Sequence, residues 1–300
     1  MKNLTQQSVN KVNLAGKLLD ASFGSGKLAD GRNYERANVT IRVTQSYSGK
    51  EETSEIPVSI FATEYTSTGK PNPALRNLQE LKMMNTAQNV GFNAAASVRM
   101  NGASLQENNF VSRNGLLING WQIRGSFISE ANASDVASFS TDIFIMDMHD
   151  ELDKEGDPTG RLVIKGGVVQ WGGRLDVLEF FAEAPDIVEY ISRNWEVNTT
   201  VNVRGRIRVT SQEEERMTGG WGEDIPDVTT RHIRELIITK GDDGPREEDL
   251  AYDPVEIKKA FNERKAYIEQ LQQTARTTSA RQGAGSANAP STAADKYSWE

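Results

Sequence analysis

Basic and aromatic side chains recur at alternate positions in the first 130 residues of this 300-residue chain. Between Ser54 and Tyr65, apolar Ile56, Val58 and Ile60 lie on one parity, which predicts a strand with one apolar face and aromatic residues on the other. Aromatic rings can stack on nucleotide bases, at ~1 to 3 kcal/mol each, and lysine or arginine attracts phosphates. These residue types therefore predict a surface that binds a nucleic-acid strand. The candidate contacts here are Lys11, Lys17, Lys27, Arg32, Arg36, Arg42, Tyr47, Phe61, Tyr65 and Arg99.

Each candidate also has a plain structural explanation. A lysine on a strand usually belongs to a solvated face, and a helix or a second domain can cover an aromatic residue that lies off the core. Lys17, Arg42 and Arg99 point away from their apolar neighbours in the predicted strands, as phosphate contacts must. The number of cations on adjacent elements favours binding, while the outward aromatics leave both explanations open. Trp121 and Phe127 share a parity in a later strand, and we expect both in the core.

The charge is unevenly distributed along the chain. The formal net charge is -8, which by itself argues against a nucleic-acid partner. Residues 1–130 nevertheless carry +4, whereas residues 131–240 carry -9 and residues 241–300 carry -3. Only the first segment has the sign expected of a phosphate-binding surface.

Chemistry that needs cysteine or histidine has little support. The chain has no cysteine, so disulfides and thiolate metal sites are excluded. Its only histidines are His149 and His232, so few side chains are suited to general-base catalysis. The string Gly24-Ser25-Gly26-Lys27 lacks the first glycine and the Ser or Thr of a phosphate-binding loop. The acidic run 147–157 lacks the order of a calcium loop. We therefore expect no enzyme, no catalytic residues, no cofactor and no metal.

The predicted elements occur in the same order twice: three strands, a helix and two strands. An OB-type five-stranded barrel uses that order, with its helix between strands three and four. We therefore predict a mostly β fold with two tandem OB-type barrels, in domains 1–130 and 131–242, followed by a linker, a short helix and a disordered tail over 243–300. Predicted strands are 9–19, 37–46, 54–65, 96–104 and 117–128, then 139–148, 160–170, 175–182, 199–210 and 229–240, with helices over 73–84 and 185–195.

The second copy offers fewer candidates. Arg204, Arg206 and Arg208 share a strand face, where they could line a groove, but in this acidic segment we favour pairing with carboxylates. A glycine-rich segment over 211–228 is predicted to be a long loop. It contains Trp221, which we take as the best DNA-binding candidate of this copy, with a capping or interface tryptophan as the alternative.

The carboxyl-terminal segment combines a helix with a low-complexity tail. Residues 255–273 place Ile257, Phe261 and other apolar residues on one helical stripe, and residues 274–300 are rich in Ala, Ser, Thr and Gly. The tip carries Tyr297, Trp299 and Glu300, which could insert into a basic pocket of a partner protein or fold back on the first barrel. We expect this tail to recruit replication or recombination proteins.

Short sequence strings mark four predicted strands of the first copy. They are N-K-V-N-L-A-G-K-L at 10–18, A-N-V-T-I at 37–41 continuing to Tyr47, S-E-I-P-V-S-I-F at 54–61, and V-R-M-N-G at 98–102. In these strings the chain resembles the bacterial single-stranded DNA-binding protein family. The resemblance implies an OB fold, DNA binding without sequence preference and base stacking by Tyr47. The chain departs from the family at Ile56, where the family has tryptophan, and in having a second copy.

These observations predict a sequence-independent single-stranded DNA-binding protein of DNA replication, recombination or repair. The departures suggest a divergent replication protein of a bacteriophage. The alternative is a phage structural or assembly protein that uses its barrels as docking modules. The sequence has no run of eighteen apolar residues and no signal-peptide pattern, so we expect no membrane partner and a cytoplasmic location, in the bacterial host if phage-encoded. A homo-oligomer is left open.

Overall fold

Strands account for most of the secondary structure, in agreement with the mostly β prediction. A computed structural model describes residues 1–112, 116–217 and 226–283. Trp221, Tyr297, Trp299 and Glu300 therefore lie outside the described residues. The strands are β1 (Asn10–Lys27), β2 (Asn33–Tyr47), β3 (Lys50–Thr63), β4 (Ser97–Asn101), β5 (Ser104–Glu107), β6 (Phe110–Val111), β7 (Leu117–Ile118), β8 (Trp121–Gly125), β9 (Phe127–Glu130), β10 (Val136–Leu152), β11 (Pro158–Val169), β12 (Leu175–Ala182), β13 (Thr200–Met217) and β14 (Pro226–Gly241).

Helices interrupt the strand order at the predicted places. The helices are α1 (Pro73–Leu81), α2 (Ala87–Val90), α3 (Pro185–Asn194) and α4 (Pro254–Gly283). The side chain of Asn72 caps α1 by accepting a hydrogen bond from the backbone N–H of Ala74, and Pro73 opens the helix. In the described part of the chain, no helix is long and apolar enough to cross a membrane.

The strand pairings of the first half run round a ring. Antiparallel pairs join β1 to β2 and β2 to β3, and β3 then pairs in parallel with β8. β8 also pairs with β5, and an isolated bridge joins Ala103, just before β5, to Val12 of β1. β9, which follows β8 in the chain, pairs with β4, and β4 pairs with β1. Strands β4 and β5 are separated at Gly102, which has a positive φ of 69°, and β8 and β9 are separated at Ser126.

A second ring follows in the second half. Strand β10 pairs with both β11 and β13, β11 pairs with β12, and β13 pairs with β14. A parallel contact between Phe181 and Ile237 joins β12 to β14 and completes the circuit. Helix α1 lies between β3 and β4 in the chain, and α3 holds the equivalent place between β12 and β13.

The two rings share a sheet and a core. Residues 10–15 of β1 pair with residues 136–141 of β10, and within the described residues this pairing makes one twelve-stranded sheet. One buried apolar cluster continues from Leu14 and Ile41 of the first ring to Phe139 and Phe180 of the second. Separately, Tyr252 and Ile257 at the start of α4 pack on β10, β11 and β12. The rings are therefore held together by backbone hydrogen bonds as well as by apolar packing.

Two segments predicted to be loops are strands. Residues 20–27 pair with 33–40, so β1 and β2 form a long hairpin whose loop is only 28–32, and Lys27 and Arg36 lie on strands. The predicted loop 211–228 is largely a continuation of the β13–β14 hairpin, which is paired as far as Met217 and Pro226. Glycine and polar residues led to both errors, because a strand without a core face lacks the apolar alternation.

Two further predictions were wrong. Helix α4 continues to Gly283, through residues expected to be disordered, because Ala, Arg and Gln favour a helix. Phe127 and Trp121 were both expected in the core, but Phe127 is 36% exposed and Trp121 is half-buried at the edge of the core cluster. The break at Ser126 shifts the alternation by one residue, so Ile128 takes the inward position instead of Phe127.

Candidate nucleic-acid interface

Four side chains meet on the outer face of the first ring, where β1, β2, β3 and β8 run side by side. Tyr34 and Arg36 on β2 neighbour Phe61 on β3, and Arg124 on β8 lies on the far side of Phe61. The ring centroids of Tyr34 and Phe61 are 5.1 Å apart, with 30° between their planes. The guanidinium carbon of Arg124 lies 5.6 Å from the Phe61 centroid. We call Tyr34, Arg36, Phe61 and Arg124 the aromatic–arginine patch.

Glycines on β1 make room for this patch. Gly26 lies opposite Tyr34, and Gly24 lies opposite Arg36. A Cβ atom at Gly26 would be 2.7 Å from the Tyr34 hydroxyl oxygen, and one at Gly24 would be 2.9 Å from Arg36 Nε. The side chains of β2 therefore lie across β1. The glycine string that fails as a phosphate-binding loop has a clear structural role here.

The cations of the patch are not neutralised by the protein. Arg36 and Arg124 are exposed, and neither forms an ion pair within the described residues. Lys11, Lys27 and Arg99 are likewise exposed and without an ion pair in that part of the chain. Tyr34 and Phe61 are half-buried, so their rings are fixed by packing while part of each remains accessible. The arrangement supplies aromatic faces beside cations, which single-stranded nucleic acid requires.

Lys17 and Arg42 lie opposite each other on β1 and β2, and both have partners within the protein. Lys17 Nζ donates a hydrogen bond to the carbonyl of Ala95 at 2.9 Å. Arg42 pairs with Glu55, at 2.5 Å between Nη2 and Oε1, and its guanidinium carbon lies 5.0 Å from the Phe92 centroid. A phosphate at this position would have to compete with these contacts.

Three other predicted contacts lie at the end of the β1–β2 hairpin or beyond β3. Arg32 pairs with Asp30 at 2.7 Å, and its hydrogen bonds lower the pKa of the Asp30 carboxyl. Lys27 borders a cleft of about 440 Å³ whose lining includes Glu35 and Glu64, and these carboxylates would repel a phosphate there. Tyr65 is 43% exposed but follows the end of β3 instead of lying within it.

Tyr47 lies at the junction of the two rings. The guanidinium carbon of Arg206, on β13, is 4.4 Å from the Tyr47 ring centroid. The Tyr47 hydroxyl donates to Gln45 Oε1 at 2.8 Å, and burial raises the pKa of Tyr47. One face of the ring is thus occupied by an arginine from the other ring. The base-stacking role that the family resemblance implies is not available on that face.

Of the three arginines predicted to share a face of β13, Arg206 and Arg208 pair with carboxylates and Arg204 does not, within the described residues. Arg206 pairs with Glu52 on β3 and with Glu183 after β12, so it connects the two rings. Arg208 pairs with Glu183 at 3.1 Å and with Glu235 at 2.5 Å. Burial acts to raise the pKa of Glu235, but hydrogen bonds from Arg161 and Arg208 outweigh it and leave the pKa lowered. Arg204 is exposed and donates to Asn202 Oδ1 at 3.2 Å.

Sequence reasoning missed the half-buried Tyr34 and the exposed Arg124 and Trp171. Tyr34 precedes the predicted strand 37–46, and a strand begun four residues earlier would have placed it on the parity of Arg36. Arg124 adjoins the apolar Ile123 and Gly125 in β8, so alternation could have marked it as outward. Trp171, in the turn between β11 and β12, is 88% exposed, and no sequence pattern signals that.

Comparisons with known proteins agree with the fold. The chain belongs to the YorF family, whose sequence model matches residues 8–274. A search of curated proteins gives no match. Among solved structures, the chain is similar to the wild-type single-stranded DNA binding protein from Thermus aquaticus, with 14% identity, a TM-score of 0.51, and coverage of 81% of this chain and 96% of that one. A deletion mutant of the same protein gives 14% identity, a TM-score of 0.50, and coverage of 81% and 97%.

Proposed function

We propose that this YorF-family chain binds single-stranded DNA without sequence preference and coats it during replication or recombination. It acts as a binding protein rather than an enzyme, in the cytoplasm of a bacterium. The observation that carries the proposal is the aromatic–arginine patch, because it combines a fixed aromatic pair with two cations that lack carboxylate partners in the described residues. Bases would stack on Phe61 and Tyr34, and phosphates would contact Arg36 and Arg124.

The strand circuits support an interpretation of the two rings as OB-type barrels in tandem. In both, the first strand pairs with the second and fourth, and the third and fifth strands pair in parallel. We assign the barrels to residues 1–130 and 131–242, with 243–300 as the carboxyl-terminal segment. The outer face of the first three strands is part of the ligand surface of an OB barrel, and the patch lies there.

The remaining cations would extend this surface. Lys11 and Arg99 are exposed on the first ring and would attract the phosphate backbone at longer range. Glu35 and Glu64 would offset the charge of Lys27. Lys17, Arg32 and Arg42 would contribute less, because each already has a partner within the protein. The first ring would therefore bind most of the DNA, while the carboxylate-rich second ring contributes less.

Binding of fluorescently labelled oligo-dT, followed by anisotropy at low and rising salt, tests the proposal. Phe61→Ala should weaken binding roughly 5- to 150-fold, the equivalent of one base stack of ~1 to 3 kcal/mol. Phe61→Tyr should retain most of the affinity because it keeps the ring. Arg36→Ala should reduce the slope of log affinity against log salt by about 0.7 if it removes one phosphate contact.

Arg193→Ala is the matched control for Arg36→Ala. Arg193 is exposed on α3 and pairs with Glu189 on the same helix, away from the first ring. This variant should leave both affinity and salt slope unchanged. Full-length variants are the appropriate material, because a cut at residue 130 would separate β1 from β10. Wild-type protein that does not bind oligo-dT at low salt would refute the proposal.

We further propose that the carboxyl-terminal tail recruits replication or recombination proteins through Tyr297, Trp299 and Glu300. Aromatic Tyr297 and Trp299 beside the acidic Glu300 suit a basic pocket on a partner. Removal of residues 291–300 should abolish pull-down of such partners while DNA affinity stays the same or rises. Partner binding that survives this deletion would contradict the recruiting role. Sedimentation of the same proteins would show whether the chain forms homo-oligomers.

A further inference from the structure

Trp171 is held in solvent by a rigid turn. Gly172 and Gly173 both have a φ of 79°, a conformation that favours glycine, and the turn is closed by a hydrogen bond from Gln170 N to Arg174 O at 2.8 Å. The Gln170 side chain donates to the carbonyl of Leu105 at 3.0 Å and is buried. Trp171 itself is 88% exposed. Tryptophan is strongly buried on average, so a fixed turn that exposes one indicates a binding role.

The turn sits against the first ring beside the aromatic–arginine patch. Leu105, which accepts the hydrogen bond from Gln170, is next to Ser104, and Ser104 lies directly opposite Arg124 in the β5–β8 pair. The residue before Trp171 is therefore hydrogen-bonded to the strand that pairs with the strand of Arg124. The turn belongs to the second ring in the chain but adjoins the patch of the first.

One arginine lies beside each of the two aromatic residues Trp171 and Phe61. Arg124 lies over the Phe61 ring, and Arg174 ends the turn of Trp171. Desolvation, and then the like charge of Arg174, lower the pKa of the Arg124 guanidinium. Arg174 pairs with Asp176, whereas Arg124 has no ion pair within the described residues. A phosphate beside both guanidinium groups would relieve their repulsion.

We propose that bound single-stranded DNA continues from the aromatic–arginine patch past Arg174 to Trp171, where a base stacks on the indole. This inference rests on the proposed function and deepens it, since it assigns the second ring a share of one continuous track. The track consists of Tyr34, Phe61, Arg124, Arg174 and Trp171. A strand long enough to leave the patch would contact both rings, and a short one would contact only the first.

Titrations of the full chain with oligo-dT of two lengths test the track. One oligonucleotide has about 6 nucleotides and fits a single ring, and the other has about 30 and exceeds the ~4 to 16 nucleotides that one OB fold occupies. Trp171→Ala should weaken binding of the long oligonucleotide roughly 5- to 150-fold and leave binding of the short one unchanged. Trp171→Phe should restore most of the loss. The long oligonucleotide should also quench part of the tryptophan fluorescence of the wild-type protein. The Trp171→Phe variant should lack that part of the quench, because it lacks the indole.

Tyr190→Ala is the control, because Tyr190 is an exposed aromatic on α3. It should bind both oligonucleotides like wild type. If wild type binds the long oligonucleotide while Trp171→Ala binds it equally well, the track is refuted and DNA binding by the first ring stands. Equal losses for the two lengths would also overturn the track. If wild type binds neither length, the proposed function itself fails.

Discussion

Replacement of Arg206 by methionine should destabilise the protein, because it removes the ion pairs through which this residue connects the two rings. The Arg206 side chain is 9% exposed, pairs with Glu52 from the first ring and Glu183 from the second, and lies over Tyr47. Methionine preserves most of the apolar stem and removes the charge. The variant therefore leaves two partly buried carboxylates without their closest cation.

The expected loss is about 2 to 3 kcal/mol in the free energy of unfolding. Removal of one member of a buried pair costs ~3 to 5 kcal/mol, and loss of a cation over an aromatic ring adds ~0.5 to 2 kcal/mol. Two features reduce this cost. Glu52 and Glu183 keep 23% and 29% exposure, and Arg208 remains 3.6 Å from Glu52 and 3.1 Å from Glu183. Residual pairing and water thus stabilise the carboxylates in the variant.

Urea unfolding, followed by circular dichroism, measures the effect against a control on the same strand. Arg204 lies two residues earlier on the same face, is exposed, and donates a hydrogen bond to Asn202. Arg204→Met should change the free energy of unfolding by less than about 0.5 kcal/mol. An Arg206→Met variant no less stable than Arg204→Met would refute the reasoning that the junction depends on this network.

Two further predictions concern the second ring. Gly205→Ala should lower the free energy of unfolding in urea by about 3 kcal/mol or more, because its Cβ would lie 1.9 Å from Ile237 O and 2.6 Å from Phe139 Cζ. Gly120→Ala is the control and should be nearly neutral, because the nearest atom to its Cβ would be 3.9 Å away. Equal losses in the two variants would contradict this reasoning. The pKa of Glu235 is lowered in the folded protein, so this carboxylate contributes to the free energy of unfolding. The contribution is fully present above the ordinary glutamate pKa of ~4.3 and is lost as the pH falls through the pKa of the folded protein. Glu235→Gln should therefore lower stability at neutral pH and weaken its decline in acid, and an unchanged pH dependence would show that the ion pairs with Arg161 and Arg208 contribute nothing.

Alternation predicted the strands that have a core face and failed where that face was absent. Residues 39–43 and 56–60 alternate strictly, and they form buried faces of β2 and β3. Residues 20–27 lack this pattern because they extend past the ring, and their glycines accommodate Tyr34 and Arg36. The sequence therefore predicted only part of the candidate site. Phe61 and Arg36 were among the predicted contacts, whereas Tyr34 was not, because it lies before the predicted second strand.

Contacts between the rings could not be predicted from local patterns. Arg206 and Glu52 are far apart in the sequence, and nothing in either segment indicates that they meet across the junction. No local sequence pattern indicates the pairing of β1 with β10 either, because the alternation in each strand is already explained by its place in its own ring. Tyr47, which is predicted to stack on bases, is one such case, because Arg206 of the second ring lies over one face of its ring. A residue at a strand end looks like a free stacking surface until the second ring is placed beside it.

The string V-R-M-N-G at 98–102 has a counterpart after the second helix, V-N-V-R-G at 201–205, but the two glycines have different structural roles. Gly102 has a positive φ and separates β4 from β5, whereas Gly205 lies within β13 where the backbone of β14 approaches too closely for a Cβ. The shared strand circuit, and not the shared letters, relates the two rings. The same distinction applies to charge: the second segment is acidic in sum, yet its carboxylates at the junction are paired with arginines. What makes a surface attractive to DNA is the presence of cations without such partners, and Arg36 and Arg124 satisfy that condition within the described residues.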